Sequence, residues 1–204
     1  MPGLLIPMLA TSVVAATPST PPPWFHFMED YPMKAFEKRW EGVTGFELLV
    51  SPQGQVAKCT VTKSSGHEEF DTKTCFLAER RVSFHPAKNS DGQAVWGVYR
   101  SEAHWALPEH KLSGNAGPDL EVSISKLPDG VTQPPAVKLA FAVDAQGQTS
   151  QCTVMPTSLR QPQVLVDIGC KELLTRESGK PVIGPSGQPV AAVKSGAVLF
   201  KTTN

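Results

Sequence analysis

The sequence has no surplus of charge of either sign: 19 basic and 19 acidic residues give a formal net charge of zero. Without a basic surplus there is no electrostatic reason to expect nucleic acid or an anionic membrane surface as a partner. The chain lacks a Cys-x-x-Cys pair, which removes the thioredoxin-like redox motif from consideration. Histidine is sparse and scattered, at His26, His67, His85, His104 and His110, with none beyond, so no Cys/His cluster has the spacing of a zinc site. Phosphate loops and dinucleotide glycine fingerprints are missing too. Ser64-Ser65-Gly66 reads as a strand-to-helix turn, not a nucleophile site, because no His or Asp is tied to it by spacing. Glu68, Glu69 and Asp71 suit the first turn of a helix, where carboxylates meet the positive dipole end. These absences lead us to expect no catalytic residue, cofactor, metal or small-molecule substrate, and the chain reads as a non-enzyme.

Long hydrophobic runs are also lacking. A bilayer crossing needs about 20 apolar residues, whereas Leu4 to Ala16 is shorter and is interrupted by Pro7. That run has the length of a secretory leader core and ends in small residues, with Val14 and Ala16 suited to a cleavage point after Ala16. No Lys or Arg precedes it, and no cysteine follows to take a lipid. Export with removal of residues 1–16 is therefore expected. Thr17 to Pro23 reads as an extended, solvated Pro-rich spacer.

What the sequence does contain is a repeat. Phe46 to Val61, FELLVSPQGQVAKCTV, returns as LAFAVDAQGQTSQCTV from Leu139 to Val154. After the offset grows by two residues, Cys75 matches Cys170, Pro86 matches Pro181, and Gly92 to Val95 matches Gly187 to Val190. An internal repeat settles the architecture before any local reading, and here it indicates two small units in tandem. Alternating Phe46, Leu48 and Val50, the turn Pro52-Gln53-Gly54, and Val56 to Thr62 predict a β-hairpin, with Ala57, Cys59 and Val61 on its apolar face. His67 to Val82 has helical composition, and Phe70, Thr74, Leu77 and Ala78 fall at helical spacing with Cys75 beside them. Met33 to Trp40 suits a short helix. Ala94 to Leu107 reads as a long last strand, and Glu109 to Asp119 as a linker. In the second unit the same plan predicts strands at Lys138 to Val143 and Thr149 to Val154, a helix near Gln163 to Thr175, and a final strand near Val190 to Thr202.

Four cysteines allow three full pairings. Each unit owns one cysteine on its second strand and one on its helix, so Cys59 with Cys75 and Cys152 with Cys170 is the pairing that gives both units the same bridge. A loop of that size contributes about 3 kcal/mol in the chain-entropy account.

Tyr31-Pro32, Glu41-Gly42-Val43, Phe46 to Val50, Gly54-Gln55-Val56, Val61 with Ser64-Ser65-Gly66, Phe70-Asp71 and Phe84-His85-Pro86-Ala87 together resemble the C-terminal domain of TonB, the periplasmic energy-transducing family of Gram-negative bacteria. The resemblance covers roughly Tyr31 to Leu107; the second unit is similar only through its likeness to the first. It implies an α+β fold of two tandem small domains, each an antiparallel β-sheet with one helix packed on it. The corresponding layout is a leader at 1–16, a spacer at 17–30, a first domain at 31–108, a linker at 109–119 and a divergent second domain at 120–204.

The resemblance further implies a periplasmic module that binds an envelope protein by strand addition, as the family takes a segment of a TonB-dependent outer-membrane transporter. The edge strand implied to receive it carries Val95, Trp96, Val98, Tyr99 and Arg100. Two alternatives stand beside this reading. One is an energy transducer whose anchor lies upstream of the present start. The other is a structural envelope protein in which the two domains pair their own edges or self-associate; continuous pairing of Val95 to Arg100 with Val190 to Lys194 would support it.

Overall fold

The computed structural model describes residues 12–20, 27–110, 117–131, 135–156 and 161–203. In chain order the elements are β1 (Thr17–Pro18), α1 (Phe27–Asp30), α2 (Met33–Glu37), β2 (Gly42–Val50), β3 (Val56–Lys63), α3 (Glu68–Arg81), β4 (Phe84–His85), β5 (Ala87–Lys88) and β6 (Ala94–Trp105). They continue with β7 (Leu120–Ile124), β8 (Ala136–Val143), β9 (Thr149–Val154), α4 (Gln163–Glu177), β10 (Val182–Ile183), β11 (Pro189–Val190) and β12 (Ala192–Thr202).

The β2–β3 hairpin turns where the Pro-Gln-Gly signal predicts, since the Ser51 N–H donates to the Gln55 carbonyl at 2.8 Å. Gly54 adopts a φ of +80°, and a Cβ there would lie 2.2 Å from the Phe84 carbonyl oxygen, so only glycine fits. The Phe84 N–H in turn donates to the Gly54 carbonyl at 2.8 Å, which ties the end of α3 back to the hairpin tip. In the second half the Gly179 N–H donates to the Gly147 carbonyl at 2.9 Å, and Gly147 has a φ of +81°.

β2 lies between β3 and β6, both antiparallel to it, and β8 lies between β9 and β12 in the same manner. The two groups join because β6 and β12 pair in parallel: Trp96, Gly97 and Val98 register with Ala192, Val193 and Lys194. The result is one sheet in the order β3-β2-β6-β12-β8-β9. Ladder partners point to the same face, so Val193 lies beside Gly97 and Lys194 beside Val98. Helix α3 covers Phe46, Leu48, Val50 and Trp105, in one apolar cluster with Val193 and Ala140. Helix α4 covers Leu139, Phe141, Val143, Val198 and Phe200, and its Glu177 bonds Lys194. The two helices therefore lie on opposite faces of the shared sheet.

Some details differ from the sequence expectation. Ala57 is exposed and not on the apolar face, because β3 carries a bulge: Val50 registers with Val56 but Leu49 with Lys58, leaving Ala57 as the extra residue. Helix α2 stops at Glu37, and its continuation toward Trp40 is closed by Arg39 at a φ of +52°. A strand not expected from sequence, β7, runs parallel to the far end of β12, with Leu120 to Ile124 against Val198 to Thr202. The spacer is not solvated throughout: Thr17 and Pro18 pair with His85 and Phe84, and Val14 exchanges both main-chain hydrogen bonds with Lys88 at 2.9 Å. Val13, Ala15 and Ala16, expected in a removable leader, are 2%, 5% and 3% exposed within the first core. Residues 1–11 of the leader and part of the Glu109 to Asp119 linker lie outside the described residues.

Candidate partner-binding edge

The residues that carry the family resemblance hold the first unit together. The Tyr31 ring meets Phe70 and Trp105 edge-on at 5.3 and 5.9 Å, and its hydroxyl donates to the Trp40 carbonyl. Phe70 stacks on Trp105 at 5.1 Å, and the Trp105 indole N–H donates to the Thr74 hydroxyl at 3.0 Å. Asp71 accepts from the Ser64 hydroxyl at 2.5 Å, the Ser65 N–H at 2.9 Å and the Thr44 hydroxyl at 2.9 Å. The Ser-Ser-Gly turn is thus the anchor of α3. Burial alone would raise the Asp71 pKa, but these donors outweigh it and hold the carboxyl below its ordinary value.

The cysteines pair as the repeat predicts, Cys59 with Cys75 and Cys152 with Cys170, with Cα atoms 5.4 and 5.7 Å apart. Each bridge fastens a helix to the second strand of its own hairpin, and no cysteine is free.

The implied edge strand lies at the centre of the sheet. Val95 registers with Ala87 of β5, and Trp96 and Val98 belong to the pairing with β12. Beyond Val98 the strands part. Tyr99 turns to the α3 face, where it meets Phe84 at 5.1 Å between ring centres. Arg100 donates to Glu47 at 2.7 Å and to Asp119 at 3.0 Å. The other oxygen of Asp119 accepts the Ala197 N–H at 2.7 Å, so this carboxylate bridges the fork between β6 and β12. Burial works against the charge of Arg100, yet Glu47 and then Asp119 raise its pKa.

Sequence reasoning placed Asp119 in a linker by composition and gave Lys194 and Glu177 no role. Lys194, 6% exposed, donates to Glu177, and Lys180 adds a second contact at 3.2 Å. The one legible signal near Asp119 is the alternation of Leu120, Val122 and Ile124 after it, a strand pattern. Among the described residues, no group of His, Cys, Asp and Glu is arranged to hold a metal, and no helix is long and apolar enough to cross a membrane.

Geometry and covalent links define a class: small α+β units, each a disulfide-fastened helix on an antiparallel sheet, joined edge to edge. Residues 29–107 match the family of the Gram-negative bacterial TonB protein C-terminal domain. That span covers β2, β3, α3 and β6, the first group of the sheet; residues beyond 107 lie outside it. The curated proteins and the solved structures contain no match to the chain.

Proposed function

We propose that the protein is a non-enzymatic periplasmic protein-interaction module of the TonB C-terminal kind, in which a second, divergent unit at 120–204 is fused to the first at 31–108. The observation that carries this reading is the family match over residues 29–107; the parallel pairing of Trp96–Val98 with Ala192–Lys194 joins the two units as the structural alternative expects. The family match supports an envelope-protein-binding role for the first unit, and the two disulfides suit an oxidising compartment. The second unit repeats the strand–strand–helix–strand order, the disulfide placement and the glycine turn.

In this reading the edge that the family uses for strand addition is occupied here at Trp96 and Val98 by the protein's own second unit. An outer-membrane transporter would have to displace β12 to reach Val95, Trp96, Val98, Tyr99 and Arg100. Export places the chain in the periplasm, and processing falls ahead of Val13 instead of after Ala16, because Val13, Ala15 and Ala16 are core residues. The test is photo-crosslinking in envelope fractions with a photoreactive residue at Trp96 and, separately, at Val190. An internal crosslink between the two units at Trp96 is expected. Capture of an outer-membrane transporter through Trp96 would show that the seam opens and would return the edge to a transporter.

A further inference from the structure

The two sides of the sheet differ in one respect. On the α3 face, the segment Val13 to Thr20 runs antiparallel along Ser83 to Lys88, with Val14 bonded to Lys88 and Ser19 to Ser83. Its buried side chains share a cluster with Ala140 and Val193 from the second group of strands, and Tyr99 and Ala142 pack against that cluster. Ala16 seats directly on Gly97, where an added Cβ would lie 2.7 Å from the alanine methyl.

The register of the two halves defines the corresponding place on the opposite face. Gly54 and Gly147 receive the N–H groups of Phe84 and Gly179, and β5 pairs with β6 as β10 pairs with β11. Ser83 to Lys88 therefore corresponds to Ser178 to Ile183, and Lys88 to Ile183. A groove lies there. Its floor is Leu49 and Val98, and its walls include Lys58, Arg100, Lys180 and Lys194. No described segment lies along Ile183 as Val14 lies along Lys88, and Ile183 is 43% exposed.

The linings differ in chemistry. Where the filled groove has Ala140 and Tyr99 in its apolar cluster, the equivalent positions here are Glu47 and Lys194. Four cations line this groove against the carboxylate of Glu47. Glu177 and Asp119 engage three of them from outside it, and one positive charge remains in excess. Among the described residues Lys58 makes no ion pair. An apolar segment suits the first groove; the second suits a strand with acidic side chains.

We infer that the groove between Lys180–Ile183 and the Leu49–Val98 floor is a docking site for an extended, acidic segment of a partner protein, which adds to the Ile183 edge as Val13 to Thr20 adds to Lys88. Main-chain pairing with Ile183 supplies the direction, and Lys58, the lining cation that no described carboxylate engages, selects carboxylates. This inference rests on the protein-interaction reading and locates the partner away from the β6 edge.

The experiment uses the full chain and a fluorescein-labelled eight-residue peptide in which glutamate alternates with alanine and valine, with glutamine in place of glutamate as the control. Anisotropy titration is expected to show saturable binding of the glutamate peptide, weakened about tenfold by Lys58→Glu and by the glutamine exchange, and falling with added salt. A photoreactive residue at Ile183 is expected to crosslink the glutamate peptide. Lys58 is exposed, so an unchanged melting temperature accompanies the loss. No binding, or equal binding of both peptides, overturns the site. A concentration-dependent dimer abolished by Lys58→Glu assigns the groove to a second copy and overturns it as well. If the chain captures an envelope partner equally with and without Lys58→Glu, the interaction reading stands and this site falls; if neither form captures one, that reading itself falls.

Discussion

At the residue scale, two carboxylates keep their charge against burial, one through neutral donors and one through lysine cations. Asp71 is partly exposed and bonded by three donors in the turn that starts α3. Its folded pKa lies below the ordinary value, so its contribution is fully present above the unfolded-chain value, about 4, and is lost as pH falls through the folded value. Asp71→Asn is expected to cost about 1–2 kcal/mol at neutral pH. The gap between variant and wild type should narrow below about pH 4, read as melting temperature against pH; a constant gap would refute the assignment. Glu177 is buried against Lys194. Burial raises its pKa, and Lys194 and then Lys180 lower it, leaving it below the ordinary range. Glu177→Gln leaves the Lys194 ammonium buried without its partner, and a loss of about 3 kcal/mol is expected from denaturant unfolding. A loss below about 1 kcal/mol would mean that Lys194 reaches solvent when unpaired.

At the element scale, the segment from Val13 to Thr20 behaves as a strand of the first unit. Three of its apolar side chains are nearly excluded from solvent, and burying side chains of this size contributes on the order of 1 kcal/mol each. A chain beginning at Thr17 is therefore expected to melt several degrees lower than one beginning at Ser12. Equal melting temperatures would show that the segment adds nothing to the core. The electrospray mass of the protein recovered from cells is expected to place any processing ahead of Val13; a mass beginning at Thr17 would refute this. The helices show the reverse situation, since their positions were legible. Phe70, Thr74, Leu77 and Ala78, grouped by helical spacing, are the buried residues of α3, and Cys75 beside them reaches Cys59.

At the scale of the whole molecule, the seam between β6 and β12 makes one sheet of two units, and the units should unfold together. Trp40 and Trp105 lie in the first core and Trp96 at its seam, and no tryptophan follows residue 105, so indole fluorescence reports the first unit and the seam while far-ultraviolet dichroism reports both units. Coincident thermal transitions by the two probes are expected for the native chain. Val193 is 1% exposed in the first core, and Val193→Asp places a charge at the seam. That variant is expected to separate the two transitions; transitions that are separate already in the native chain would show that the seam does not couple the units.

The sequence by itself determined the elements that depend on neighbours along the chain. The first hairpin follows from alternation and a glycine turn and α3 from helical spacing and composition, while the second hairpin, α4 and the two disulfides follow from the repeat, which gives each of them a counterpart. Only the tertiary structure decided which edges meet, that the helices take opposite faces, that Asp119 bridges the fork between β6 and β12, and that Val13, Ala15 and Ala16 are core residues. The reason is physical. A strand edge offers the same N–H and C=O groups whatever its side chains, so local pattern marks a strand without naming its neighbour. A short run of small apolar residues likewise fits a leader and a core equally well until distant residues close over it.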